Sequence, residues 1–320
     1  MLGSLGLFLF GMKLMSEGLQ KASGERLRSI MRSMAGNRFK GVFSGTLVTS
    51  VIQSSSATTV MVVSFVNAGL LTLRESIGVI MGANLGTTTT AWIIAALGFK
   101  LELSSLALPL VGIGVAASFC KKPVRRSTGE FLVGLGLLLM GLDFLKSSMP
   151  DVDPDSPFLQ WLRHYSNMGF LSVLLFLAFG VVFTIIVQSS SVAVAVTITM
   201  AVKGWIDFDL AAAVVLGENI GTTITANLAA ITANLAAKRA AIAHLIFNVL
   251  GVIWVLCVFY YFLAMIKWII PLDCAPDPAT LAAMGISDFN SLAGAAREAA
   301  LEKIAIPERV AMFHTMFNFC

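Results

Sequence analysis

Gln53-Ser54-Ser55-Ser56 recurs as Gln188-Ser189-Ser190-Ser191, 135 residues downstream, each tetrad set inside apolar sequence. A second motif pair keeps the same offset without a gap: Gly82-Ala83-Asn84-Leu85-Gly86-Thr87-Thr88 and Gly217-Glu218-Asn219-Ile220-Gly221-Thr222-Thr223. Clustered hydroxyls and amides in a membrane-grade sequence cost free energy unless they hold something polar. Two copies in register predict an internal duplication around one shared central site, which is how secondary transporters are built.

Composition agrees. Of 320 residues, 57% are hydrophobic and only 12% charged, with a mean hydropathy of +0.85; a soluble domain carries about 25% charged residues. The net charge of +4 is too small and too scattered for a nucleic-acid partner. Cys120, Cys257, Cys274 and Cys320 form no disulfide framework and no Cys/His metal spacing. The opening Met1-Leu2-Gly3 lacks a basic n-region, so it reads as a retained membrane segment and not as a signal peptide.

Apolar stretches fall at about 1–15, 42–73, 76–98 and 103–120, then about 131–146, 170–202, 208–236 and 240–271. The two quartets match in order and length. Their first members align at an offset of 130, Gly6–Gly11 against Gly136–Gly141, and the extra residues fall in the Asp151–Asp155 loop. Glycines at matched positions (Gly11 and Gly141, Gly45 and Gly180, Gly69 and Gly204) suit close helix packing or tight turns. The second stretch of each quartet is too long for one span and too short for two spans of roughly 20 residues. It predicts a re-entrant hairpin, at about 42–73 and 170–202, with the tetrad at its tip.

Charge sets the topology. Lys21, Arg26, Arg28, Arg32, Arg38 and Lys40 follow the first stretch, Lys121, Lys122, Arg125 and Arg126 the fourth, and Lys238 and Arg239 the seventh. The 147–168 loop instead holds Asp151, Asp153 and Asp155 against Arg163. The positive-inside rule places the N-terminus outside and every basic loop in the cytoplasm. Three full crossings per copy then make the copies inverted. The fold expected is an all-α polytopic membrane protein: a first inverted repeat at 1–128, a second at 129–271, and an external loop and partial further segment at 272–320. Residues 16–40 read as a basic amphipathic helix at the inner interface. The last segment repeats an earlier one, Arg239…His244-Leu245-Ile246-Phe247-Asn248 against Arg309…His314-Thr315-Met316-Phe317-Asn318. Its stop at Cys320 suggests a longer natural chain.

The chemistry follows from the residue types. Ser and Thr hydroxyls donate and accept, and Gln and Asn offer both a carbonyl and an amide. Half-helix N-termini add N–H donors and a positive dipole end for an anion. Carbonyls at helix breaks suit sodium. Neither tetrad contains Arg or Lys, so a divalent anion such as phosphate needs co-bound cations for compensation. Buried carboxylates for proton coupling are few, Asp143 and Glu218.

The paired Gln-Ser-Ser-Ser tetrads, the Gly-x-Asn-[Leu/Ile]-Gly-Thr-Thr motifs and the His-x-x-Phe-Asn elements resemble the type II sodium/phosphate cotransporters and their bacterial homologues, from about Gly6 to Asn318. The resemblance implies that Gln53, Ser54, Ser55, Ser56, Gln188, Ser189, Ser190 and Ser191 bind phosphate and sodium in inverted re-entrant hairpins. It makes Asn84, Thr87, Thr88, Asn219, Thr222, Thr223 and Glu218 supporting or cation-binding candidates. It implies alternating-access symport of inorganic phosphate with Na+ as coupling ion and no cofactor or other metal. The setting expected is a bacterial cytoplasmic (inner) membrane, with the bilayer as solvent and a homodimer as assembly. Another oxyanion, phosphate export, or an anion channel are the alternatives. A serine hydrolase finds no Gly-x-Ser-x-Gly elbow, so the protein is not expected to be an enzyme.

Blander roles stand beside these. Gly86-Thr87-Thr88 could be a helix break with hydroxyl-to-backbone bonds. His244 and His314 read as buried structural residues more readily than as ion ligands. Lys13 and Asp143 take equivalent positions and could pair across the duplication or each face a polar interface, and Glu218 could lie buried beside the site or snorkel to the interface.

Overall fold

The computed structural model describes residues 2–34, 38–99, 104–148, 157, 165–272, 276–286 and 289–320, and every regular element in them is helical. In order these are α1 (Leu2–Met34), α2 (Arg38–Ile52), α3 (Ser55–Asn67), α4 (Leu73–Phe99), α5 (Ser104–Ser118), α6 (Pro123–Ser148), α7 (Phe170–Val187), α8 (Ser190–Val202), α9 (Phe208–Ala229), α10 (Leu235–Cys257), α11 (Phe259–Ile269), α12 (Pro278–Ala283) and α13 (Gly294–Phe319). Much of the charge pattern used for topology, including Arg26, Arg28, Arg32, Arg38, the Asp151–Asp155 loop and Arg163, lies outside the residues or side chains described, as does Cys274.

Both predicted hairpins are broken helix pairs, α2–α3 and α7–α8, each interrupted within its tetrad. Glycines at matched positions let the flanking helices touch backbone to backbone. A Cβ at Gly45 would lie 2.1 Å from the Val79 carbonyl oxygen, and at Gly180 2.1 Å from that of Val214. A Cβ at Gly82 would lie 2.0 Å from the Val42 oxygen, and at Gly217 2.0 Å from that of Leu177. These contacts run in step along the sequence, so α2 lies parallel to α4 and α7 to α9. The intervening α3 and α8 must therefore double back. α1 and α6 instead run antiparallel, with reciprocal contacts: Gly11 meets Leu138 and Gly141 meets Phe8, positions related by the offset of 130. Gly69 and Gly204, at φ +70 and +74, make the matched turns after α3 and α8.

Among the described residues, five helices are long and apolar enough to cross a membrane: Leu2–Ala22, Leu73–Ala96, Pro123–Ser148, Phe170–Val187 and Leu235–Cys257. They make this a multi-pass membrane protein. The set differs in detail from the three crossings per copy expected. It includes the first arm of the second hairpin, while α5 is only 15 residues long and α9, polar at Asp209, Glu218, Asn219 and Asn227, is not in it.

Four further expectations change. The helix of stretch one does not end near residue 15 but continues to Met34, because Glu, Gln, Lys, Arg and Ala propagate a helix even where hydrophobicity stops. The stretch at 240–271 divides at Val258 into α10 and α11. At the C-terminal end, one helix, α13, carries both the Ala/Glu-rich and the apolar segment, with Pro307 inside it. By its contacts the counterpart of α10 is α13, not α5: α10 packs on α3, α4 and α9, α13 on α8, α9 and α4, and α5 on α6.

Candidate functional site

The two tetrads fold into the same local structure. Among the described residues, Gln53 and Gln188 are the non-glycine residues with positive φ, at 57° and 56°. Each ends its arm with a backbone N–H bond to a threonine carbonyl, Gln53 to Thr49 at 2.6 Å and Gln188 to Thr184 at 2.7 Å. The next serine is extended, Ser54 at φ −150, ψ 104 and Ser189 at φ −148, ψ 110, and caps the following helix. Ser54 Oγ accepts from the Ala57 N–H at 3.2 Å, and Ser189 Oγ from that of Val192 at 3.4 Å. A serine at the N-cap satisfies one of the free N–H groups of the first turn.

Both helix N-termini open on one cavity of about 420 Å³, lined by the whole of both tetrads together with Ala57 and Val187. All eight first-rank residues are therefore brought together. Its remaining wall is a face of α1: Leu9, Met12, Lys13, Ser16, Glu17 and Gln20. Ser16 Oγ donates to the Ile52 carbonyl at 2.5 Å and Gln20 Nε2 to Ser16 Oγ at 3.0 Å, which seats α1 against the end of α2. These α1 residues are missing from the sequence-based site. The polar positions 13, 16, 17 and 20 recur at helical spacing across the end of the first apolar stretch, and that periodicity was the available signal.

The tips differ in their side chains. Gln53 is buried: its Nε2 donates to the Ser50 carbonyl and its Oε1 accepts from Thr90 Oγ1 at 2.9 Å. Gln188 is exposed to the cavity. Thr49 Oγ1 donates to Thr58 Oγ1 at 3.0 Å in the first copy. In the second copy, Ala193 stands where Thr58 would, and the buried Thr184 hydroxyl has no partner among the described residues.

The seven second-rank residues lie away from the cavity lining. Asn84 Oδ1 meets His244 Nε2 at 2.9 Å, and its Nδ2 donates to Asn248 Oδ1 at 3.2 Å. Asn219 Oδ1 likewise meets His314 Nε2 and accepts from Asn318 Nδ2, both at 3.3 Å. The His-x-x-x-Asn elements of α10 and α13 thus clamp α4 and α9, a structural use of both histidines. Thr87, Thr88, Thr222 and Thr223 donate to carbonyls one turn back in their own helices, at 2.8–3.1 Å, and neither helix breaks there. Gly86 serves packing, since a Cβ there would sit 2.6 Å from the Thr46 oxygen.

Glu218 is 1% exposed and does not snorkel. Its Oε1 accepts from Thr197 Oγ1 at 2.7 Å, and Oε2 has no partner among the described residues. At the corresponding positions the first copy has Val62 and Ala83, so one copy holds an apolar pair where the other holds a hydrogen-bonded polar one. Lys13 and Asp143 do not pair with each other. Lys13 lies 3.9 Å from Glu17, and Asp143 lies 3.9 Å from Lys146.

These features define a multi-pass helical membrane protein organised around one polar, duplicated centre. The family model for the Na+/Pi-cotransporter matches residues 7–147 and 157–267, and the chain belongs to that family. Among relatives, the "Uncharacterized protein YqeW" of Bacillus subtilis (strain 168) is 32% identical over 252 residues, 78% of each chain. The "Putative inorganic phosphate export protein YjbB" of Escherichia coli (strain K12) is 30% identical over 252 residues, 78% of this chain and 45% of that one. The chain thus spans under half the length of that relative. The "Sodium-dependent phosphate transport protein 2A" of Rattus norvegicus is 40% identical over 97 residues, 30% of this chain and 15% of that one. No solved structure matches.

Proposed function

We propose that the protein carries inorganic phosphate across the membrane coupled to sodium, with both solutes bound between the two tetrads. The observation that carries this reading is the convergence of two matched helix N-termini, with all eight tetrad residues, on one cavity. Each N-terminus offers free N–H groups and roughly half a positive charge. Ser55, Ser56, Ser190 and Ser191 add hydroxyls that can donate to phosphate oxygens or turn their lone pairs to sodium. Apart from Lys13 and Glu17 the lining is neutral, so these dipoles and hydroxyls make up most of its polar surface.

The antiparallel run of the matched helices α1 and α6 supports an inverted relation between the copies, and with it alternating access about the cavity. Direction depends on the gradients. The name of the E. coli relative favours a second reading, net phosphate export through the same site. The test is radiolabelled phosphate flux in proteoliposomes of the purified protein, with sodium, potassium or choline on either side. Accumulation above equilibrium driven by sodium alone is the expected result. Equilibration that ignores sodium would replace the carrier by a channel.

A further inference from the structure

Of the residues that line the tetrad cavity, Lys13 and Glu17 carry charge. They lie one helical turn apart on α1, with Nζ 3.9 Å from Oε1, at the outer limit of an ion pair. Lysine precedes glutamate, the less favourable order for such a pair on a helix. Their side chains are 72% and 44% exposed, so water competes for both. The pair is therefore weak, and both partners are free to turn to other ions in the cavity.

We propose that Lys13 and Glu17 form an exchangeable charge pair that makes anion and cation entry depend on one another, a role that rests on the phosphate reading above. Hydrogen phosphate carries up to two negative charges against the single charge of Glu17, and it offers several acceptor oxygens. An oxyanion seated between the tetrads draws the Lys13 ammonium away from Glu17 and gains the fixed countercharge that the tetrads lack. The Glu17 carboxylate, left without its cation, then becomes an oxygen ligand for sodium in the same cavity. The exchange leaves the protein's own charge unchanged: a lysine–glutamate pair is replaced by a lysine–phosphate and a glutamate–sodium contact, and the sodium offsets part of the charge that the phosphate brings. The same face of α1 is anchored through Ser16 to the carbonyl of Ile52, next to the first tetrad, so the pair is held at the tip it serves.

The experiment measures equilibrium binding of radiolabelled phosphate, with and without sodium, and sodium-driven uptake, on the full chain in proteoliposomes. Wild type, Lys13→Gln, Lys13→Arg and Glu17→Gln are compared. Lys13→Gln is expected to weaken phosphate binding about tenfold or more, and Lys13→Arg to restore most of it. Glu17→Gln is expected to do the opposite in sodium-free buffer, tightening phosphate binding because Lys13 has lost its competitor. It is also expected to raise the sodium concentration needed for half-maximal uptake about tenfold. Lys13→Gln and Glu17→Gln proteins that both keep wild-type phosphate and sodium dependence overturn the proposal while leaving the tetrad site standing. So does equal weakening of phosphate binding by both variants, which is what damage to α1 packing would give. Wild-type protein that binds no phosphate overturns this proposal and the carrier reading together.

Discussion

The two glutamines that open the tetrads share a strained backbone but not a side-chain environment, and replacing each by glycine separates the two effects. At φ 57° and 56°, Gln53 and Gln188 each bear a left-handed penalty of roughly 1 kcal/mol. Glycine removes that penalty but adds about 0.5–1 kcal/mol of unfolded-state entropy, so the backbone terms nearly cancel at both sites. Gln188→Gly removes an exposed side chain for which the structure gives no hydrogen bond, and its stability is expected to stay near wild type. Gln53→Gly takes the acceptor from Thr90, which is 3% exposed, and the side-chain donor from the Ser50 carbonyl. Orphaning a buried hydroxyl costs about 1–3 kcal/mol in soluble proteins. Side-chain hydrogen bonds within membranes average nearer 0.6, with a maximum of about 1.7 kcal/mol. Gln53→Gly should therefore be about 1–2 kcal/mol less stable than Gln188→Gly, or roughly 1.5–3 °C in Tm for a chain of this length. The assay is thermal melting of the two variants in the same detergent, followed by sodium-driven phosphate uptake. Gln188→Gly should fold normally and yet transport poorly, because Gln188 lines the cavity. Equal melting temperatures, or a lower one for Gln188→Gly, would refute the inferred asymmetry of the tips.

Other outcomes follow from the same geometry. Ser55→Ala and Ser190→Ala should each reduce sodium-driven phosphate uptake at least tenfold with little change in Tm, since each deletes one hydroxyl from the cavity lining. Gly217→Ala and Gly82→Ala should each cost about 1–3 kcal/mol or prevent folding, because the added methyl would meet a carbonyl oxygen at 2.0 Å; Gly3→Ala, with nothing within 4 Å, is the neutral control, and the yield of monodisperse protein reads the difference. Thr197→Val and Glu218→Ala should each lower Tm, whereas the double variant recreates the apolar Val62/Ala83 pair of the first copy and should recover much of the loss. Strictly additive Tm losses in that cycle would mean that the two side chains act independently.

The duplication was legible because equal sequences at equal offsets make equal turns: Thr49 and Thr184, Gln53 and Gln188, and Ser54 and Ser189 reproduce one helix break almost angle for angle. That the tetrads would face a polar space was legible for the same reason, since a run of hydroxyls within apolar sequence must face something polar, and both line one cavity. Sequence could not show which neighbour satisfies an isolated polar group. Asn84 and Asn219 carry the right polarity for a cation site but spend it on His244 and His314, whose helices approach from far along the chain.

The wall supplied by α1 was hidden for a different reason. Counting apolar residues ended the first stretch just where Ser16, Glu17 and Gln20 begin, so a helix that runs on to Met34 was divided through the middle of its cavity face. Motif symmetry also misleads at this point. α1 and its counterpart α6 contact each other reciprocally, yet α1 alone of the two borders the cavity. A duplicated sequence fixes which elements correspond, but which of two equivalent walls closes on the site is a property of one conformation. In the carrier reading that asymmetry is the part of the structure that must change during transport, and it is therefore the part that paired motifs cannot encode.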